Sequence, residues 1–306
     1  MGIDQVNSPG LGRLNGLHDK LSVQGCPAQS WTLVVFAGDN GISREHTSHY
    51  PPLQSGDLVL AHLDGSNPTV RLLERLNRRE WLIDVGLYMD LNQPRLIDKR
   101  VSKGTRNFLC EDALDHSQVL SAMNAGQSAW DLINYHDFDI IGLGEIGIAD
   151  TLCAAALGVA VLELPEAALV GQGSANRSVI DKKSEIIKRA LEYRHPDPAN
   201  VIDLLARFGG LEIAALTGFI VKANEKGIPI MLDGYVTSVA ALLASQLNSD
   251  VIPYLIAPSL SAETGHAIIL NRLGLEPLFD LSLNYGEGLA SVIGLFLAEI
   301  TMSFFH

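Results

Sequence analysis

The chain has 306 residues and a net charge of −13 with its histidines neutral; 47% of its residues are hydrophobic and only 19% charged. This composition supports a sizeable buried core in one large α/β unit or two unequal lobes, and its acidity argues against nucleic acid or an anionic membrane as a partner. Three scattered cysteines (Cys26, Cys110 and Cys153) without a C-x-x-C pair or zinc spacing, behind a polar N-terminus, predict a cytoplasmic protein with neither a disulfide framework nor a structural metal.

Taken in chain order, the first strong signal is the apolar run 31–37, which ends in Gly38-Asp39-Asn40-Gly41. The run 81–85 follows, closing on Asp84-Val85-Gly86, and then a helical pattern over 117–133. The run 138–143 leads into Gly144-Glu145-Ile146-Gly147, and helical patterns follow at 180–193 and 211–224. The runs 228–232 and 251–257 end in Asp233-Gly234-Tyr235 and in Pro258-Ser259-Leu260-Ser261-Ala262-Glu263. Short continuous apolar runs alternating with helices predict an α/β fold, a Rossmann-like parallel sheet covered by helices on both faces. Residues 1–30 and 267–306 lack strand signals and are expected to pair as a small helical lobe, leaving 31–266 as the large nucleotide-binding lobe. The apolar stretch 289–300 carries Glu299 and is shorter than the roughly 20 residues a membrane span needs, so it reads as a buried helix.

Glycine and carboxylate gather where each strand emerges, and ligands of open α/β sheets bind beyond the carboxyl ends of the strands. A single crevice built from at least five loops is the expectation. Within it, 142–151 joins a strand to a helix. Its glycines would let backbone amides approach an anion, with a tight corner as the competing explanation. Asp150 would repel a phosphate there unless it caps the helix and points away. Gly286-Glu287-Gly288 places a carboxylate between glycines, where apolar walls would suit it to general-base work and a helix-dipole role is the alternative. Lys182-Lys183 offers a lysine to a substrate carboxylate, although such a pair is more often a solvated face. His266 reads as a hydrogen-bonded core residue.

The order of these motifs resembles that of the nicotinate-nucleotide–dimethylbenzimidazole phosphoribosyltransferases. The family's PGSLGRLE, AGDHG, DVG and GTRN are matched by 9–14, 37–41, 84–86 and 104–107; its GEMGIGNTT and GxGTG by 144–151 and 171–175; its GGxEIAAMxG, DGF, SAExGH and GEGTGA by 209–218, 233–235, 261–266 and 286–291. The resemblance implies a metal-free, cofactor-free transfer of ribose phosphate from nicotinate mononucleotide to an aromatic acceptor, benzimidazole or phenolic, in cobamide synthesis. It also implies a dimer, either a homodimer or a heterodimer with a paralogue. Glu287 corresponds to the family's general base. Gly144, Glu145, Ile146, Gly147, Ile148, Gly173, Lys183, Ser261 and Gly288 fall on the nucleotide and phosphate side, and Ser48, Tyr50, Asp57 and Tyr285 on the acceptor side. The chain departs from the family pattern at Asn40, Asp150, Leu152, Ser174-Ala175, Ser259 and 289–291, mostly at the nucleotide end.

Overall fold

Each of the five apolar runs becomes a strand in the computed structural model, which describes residues 9–133, 136–171, 173 and 179–305. The strands are β1 (Trp31–Gly38), β2 (Glu80–Gly86), β3 (Leu96–Asp98), β4 (Ile140–Ile146), β5 (Ile230–Met231) and β6 (Leu255–Ile256). All pair in parallel, in the order β3-β2-β1-β4-β5-β6. From β1 the chain builds outward first to one edge and then, through β4, to the other. The junction of β1 and β4 is therefore the switch point where such sheets open a ligand crevice.

The strand limits differ from the expected ones for local reasons. β4 begins late because the Asp139 carboxylate is occupied by the amides of Gln29 and Ser30. β6 shrinks because residues 249–254 coil into a 3-10 turn, with Asn248 accepting from Asp250 N–H and Pro253 unable to donate to a ladder. The short edge strand β3 carries no continuous apolar run and was not expected.

Eleven helices are described: α1 (Arg13–Val23), α2 (Ser55–Leu63), α3 (Pro68–Arg75), α4 (His116–Ile133), α5 (Asp150–Leu162), α6 (Ile180–Arg194), α7 (Val201–Phe208), α8 (Leu211–Glu225), α9 (Tyr235–Leu247), α10 (His266–Leu273) and α11 (Leu289–Ser303). Alternation along β1 divides the core in two. Val34 and Phe36 face a cluster built with α4, α5, α7, α8, α9 and α10. Trp31, Leu33, Val35 and Ala37 face a second cluster built with α1, α2, α3 and α11. The helices nearest the two ends, α1 and α11, thus share one face of the sheet and touch each other, while α10 belongs to the opposite layer. Glu299 of α11 is matched to its apolar helix by Trp31, whose indole N–H donates to it at 2.6 Å, and by Arg78 at 3.2 Å. Among the described residues, no helix is long and apolar enough to cross a membrane.

On the first layer, α4 and α8 meet at glycines. A methyl group on Gly126 would fall 1.9 Å from the Ala215 carbonyl oxygen, and one on Gly218 would fall 2.2 Å from that of Met123. Backbone cannot swing away as a flexible side chain can. Gly126→Ala is therefore expected to destabilise the fold by about 1–3 kcal/mol, the range for forced overpacking, despite alanine's better helix propensity. Urea unfolding would measure this, and an unchanged or higher midpoint would contradict so close a helix contact.

Candidate active site

A cleft open to solvent lies at the carboxyl ends of β4, β5 and β6. Its walls come from 145–151 at the end of β4 and beyond, 233–236 after β5, Ser259, Ser261 and Glu263 after β6, residues 283–287 before α11 with Leu289 and Ala290 at its start, and Thr47, Ser48 and Tyr50 after β1. The loop after β2 does not reach it, which corrects the expectation of five contributing loops. The carboxylates that end β1 and β2 serve as ties instead. Asp39 accepts from the amides of Ser55 and Tyr88, and Asp84 accepts from those of Gly86 and Leu87 and pairs with Arg100 at 2.7 Å.

Glu287 sits on an unusual backbone. Gly286, Glu287 and Gly288 have φ of 77°, 56° and 82°, three left-handed residues in succession. Glycine adopts this freely, whereas glutamate does so at a cost of about 1 kcal/mol, so the flanking glycines serve to place the one side chain between them. A methyl group on Gly144 would come within 2.9 Å of the Gly288 backbone, and one on Gly288 within 2.8 Å of Leu33. Gly144 and Gly288 therefore stack behind the cleft wall. Asp233 completes the anchor, accepting from the amides of Gly288 and Ser291 at 3.0 Å each. Burial lifts its carboxyl to about 6, against the pull of those amides.

The immediate surroundings of Glu287 are polar, in place of the apolar walls expected. Its Oε2 receives Asn67 Nδ2 at 2.6 Å, lies 3.1 Å from His62 Nε2, and accepts from the Tyr285 hydroxyl at 3.4 Å. Asn67 caps α3, its Oδ1 accepting from Thr69 and Val70 N–H, so its Nδ2 is left to face Glu287 and Tyr285. His62 lies on the buried side of α2, and its other nitrogen lies 2.9 Å from Glu80 Oε2. Burial opposes a charge on His62, yet the hydrogen bonds and negative charges of Glu287 and Glu80 lift the imidazole to about 9. Of these neighbours the residues alone pointed to Tyr285 and missed His62, Asn67 and Glu80. His62 looks like an ordinary member of an apolar helix, and the one available signal was Asn67-Pro68, an N-cap followed by a first-turn proline.

A cluster of acids lies next to the Glu287 turn. Glu145 is buried beside Asp150, Glu212 and Asp233; burial and these neighbours hold its carboxyl well above the usual range. Asp150 is also raised, first by burial, while its hydrogen bond with Glu145 and the nearby Lys183 act in the other direction. Of the backbone amides, Asp150 Oδ1 accepts only that of the adjacent Thr151, no side chain caps the start of α5, and Asp150 lines the cleft, so it does not cap the helix and point away. Lys183 is buried in the cleft, burial lowering its ammonium, while Lys182 reaches outward to the Glu45 carbonyl. The solvated-face reading thus holds for only one of the two lysines. Gly173, with φ of 58°, leaves room for the Lys183 ammonium, which a methyl group there would approach to 2.7 Å. Gln172, Ser174 and Ala175 lie outside the described residues.

The cleft therefore brings together Glu287, Glu145, Ile146, Gly147, Ile148, Gly173, Lys183, Ser261, Ser48, Tyr50 and Tyr285. Asp57, in the first turn of α2, is exposed and outside the lining. The stretch read as a phosphate loop is strand as far as Ile146, and the Ile148 amide is taken by Ser55 Oγ at 3.0 Å.

Residues 4–306 match the family described as "Phosphoribosyltransferase". Similar relatives include the nicotinate-nucleotide–dimethylbenzimidazole phosphoribosyltransferases of Roseiflexus sp. strain RS-1, 34% identical over 87% of this chain and 76% of that protein, and of Halalkalibacterium halodurans, 33% identical over 90% and 77%. The crystal structure of CobT from Thermus thermophilus superposes with a TM-score of 0.93 at 30% identity, over 99% of this chain and 93% of that one. The chain belongs to this phosphoribosyltransferase family.

His266, which closes the Ser261–His266 motif, is the core residue expected. Its Nδ1 accepts from Ser261 N–H, so its Nε2 carries the proton toward Ser238 Oγ, and burial lowers the imidazole to about 4. Below the unfolded value of 6.5 the unfolded chain takes up a proton that the native state refuses, so stability contributed by the neutral ring is lost as pH falls from about 6.5 toward 4. Between pH 7 and pH 5 this amounts to about 2 kcal/mol. Chemical unfolding at the two pH values should show that much less pH dependence in His266→Gln; an equal dependence would contradict the assignment.

Proposed function

We propose that this chain moves the phosphoribosyl group of nicotinate mononucleotide onto an aromatic acceptor, benzimidazole or phenolic, to give an α-ribotide for cobamide synthesis, with Glu287 as general base. The observation that carries the reading is Glu287 itself, a carboxylate on a strained glycine-flanked turn at the wall of a cleft that a buried lysine also lines. The names of the relatives support the substrates. In the reaction the C1′–N bond to nicotinate breaks, its electron pair leaving with the ring nitrogen, so the departing pyridine needs no proton. The acceptor attacks C1′ from the opposite face, inverting β to α, and its N–H or O–H proton passes to Glu287. Lys183 supplies positive charge for the nicotinate carboxylate. Gly147 and its neighbours, with Gly173 and Ser261, make the nucleotide wall. Gly144 and Gly288 act by shape, keeping backbone close to backbone. Ser48, Tyr50 and Tyr285 form the acceptor side, and the exposed Asp57 has no place in it. The dimer, of identical or paralogous chains, belongs to the same proposal.

Glu287→Gln keeps the backbone and most hydrogen bonds, so it should fold normally and lose roughly a hundredfold or more in kcat, the usual scale for a general base. Assay with nicotinate mononucleotide and a panel of benzimidazoles and phenols, alone and with a paralogue, tests this. Wild-type turnover in the variant would remove Glu287 from the mechanism.

Asp150 favours a second reading, in which this chain is the weaker member of a heterodimer. A carboxylate facing a phosphate at about 4 Å is repelled by ~1 kcal/mol in a wet site and ~4 kcal/mol in a partly dry one. Because Asp150 and Glu145 share a hydrogen bond and both are raised, one proton between them relieves part of that repulsion, which supports the active reading. Asp150→Asn is expected to tighten nucleotide binding by about fivefold, corresponding to ~1 kcal/mol. A gain of a thousandfold in calorimetric titration would favour the silent-partner reading instead.

A further inference from the structure

We infer that His62 is a positioning residue for this transfer: held as a doubly protonated ring between Glu80 and Glu287, it fixes one oxygen of the Glu287 carboxylate and leaves the other for the acceptor's proton. The inference rests on the reading of Glu287 as the base, and its footing is geometric. His62 is fully buried, with Nδ1 2.9 Å from Glu80 Oε2 and Nε2 3.1 Å from Glu287 Oε2. An ionised carboxylate only accepts hydrogen bonds. A neutral imidazole would turn a lone pair toward one of its two carboxylates at hydrogen-bonding distance; a ring protonated on both nitrogens satisfies both.

The consequence for Glu287 is directional. Its hydrogen bonds, from His62, Asn67 and Tyr285, all fall on Oε2. Asn67 is locked by its cap of α3, and His62 by Glu80 behind it, whose side chain is 2% exposed. Oε1 is therefore the oxygen available to a proton arriving from the cleft. The positive ring also offsets a crowd of carboxylates, since Asp150 and Asp233 both feel the charge of Glu287. The titratable groups facing His62 are Glu80 of β2 and Glu287 of the loop before α11, with Tyr285 sharing Glu287 and Asn67 uncharged. Burial and Glu287 together raise the Tyr285 phenol, so it stays neutral over the working range. The clamp thus fails on the alkaline side when the ring, lifted to about 9, loses its second proton.

Three variants test this, each first checked for native folding by near-UV circular dichroism. His62→Gln is expected to lower kcat roughly thirtyfold with the KM for nicotinate mononucleotide changed less than twofold, and to lack the alkaline limb near pH 9 that the kcat profile of the wild type should show. Glu80→Gln keeps an acceptor for Nδ1–H but removes its charge, so the limb should move down by a pH unit or more. A merely structural histidine would produce neither change. If His62→Gln does not fold, the limb in Glu80→Gln decides alone. Nitrogen-15 NMR of the imidazole should show both ring nitrogens protonated at pH 7 in the wild type, with the second proton lost at lower pH in Glu287→Gln. The proposal is overturned by a kcat in His62→Gln within twofold of wild type, by an unmoved limb in Glu80→Gln, or by a neutral tautomer at pH 7. If the wild type turns over and only Glu287→Gln is impaired, this inference alone fails. If the wild type turns over no acceptor of the panel, the proposed function fails and takes this role with it.

Discussion

Asp233 follows β5 and accepts the first amides of α11, and the Glu287 turn is set by that one attachment. A carboxylate at a helix N-terminus satisfies amides that would otherwise be orphaned and opposes the positive end of the dipole. Here the carboxylate comes from another element, so it also fixes where the helix begins relative to the sheet. With that point set, three left-handed residues lead into the helix, Gly288 presses on Gly144 and Leu33, and the Glu287 side chain has one direction to take. The same contacts explain why β4 is glycine-rich. Gly142 makes room for Ser291 and Leu295 of α11, as Gly144 does for the turn before it.

The second constraint is charge. Glu145, Asp150, Glu212, Asp233 and Glu263 are all held above their ordinary values, with burial as the first cause in each case. Packing so many carboxyls into a single wall is tolerable only because some keep a proton and others sit beside Lys183 or backbone amides. Glu212, fully buried in α8 and lifted to about 8, shows the first device, with Asn40 as its hydrogen-bond donor at 2.8 Å.

Much of this arrangement could be read from the chain, and the failures have physical causes. Continuous apolar runs betrayed the strands because a parallel sheet is buried on both faces; the short β3 lacked that signal. On spacing alone Glu287 had two equal readings, a cleft base or a partner of the helix dipole, and only the order of motifs along the chain singled it out. Lys183 carried two readings because its neighbour Lys182 does face outward, and adjacent positions on a helix point about 100° apart. Asp39 and Asp84 looked like site residues, but a carboxylate at a strand end can equally bind amides of the next turn, and spacing does not separate the two. His62, Glu80 and Asn67 were invisible as a group: they come from α2, β2 and the turn before α3, and nothing local ties them to a residue so far along the chain as Glu287.

The contact between α4 and α8 has a further consequence. Where Gly126 and Gly218 let the two backbones touch, no methylene of slack lies between them. Close-packed surfaces of this kind do not slide without first separating, so the pair forms an unyielding keel beneath the sheet. Breathing of the crevice is then borne by its outer rim, where Tyr50 and Tyr285 are partly exposed and meet solvent rather than core. A scaffold that is stiff below and compliant at one lip can drift in what that lip grips while its depth stays unchanged.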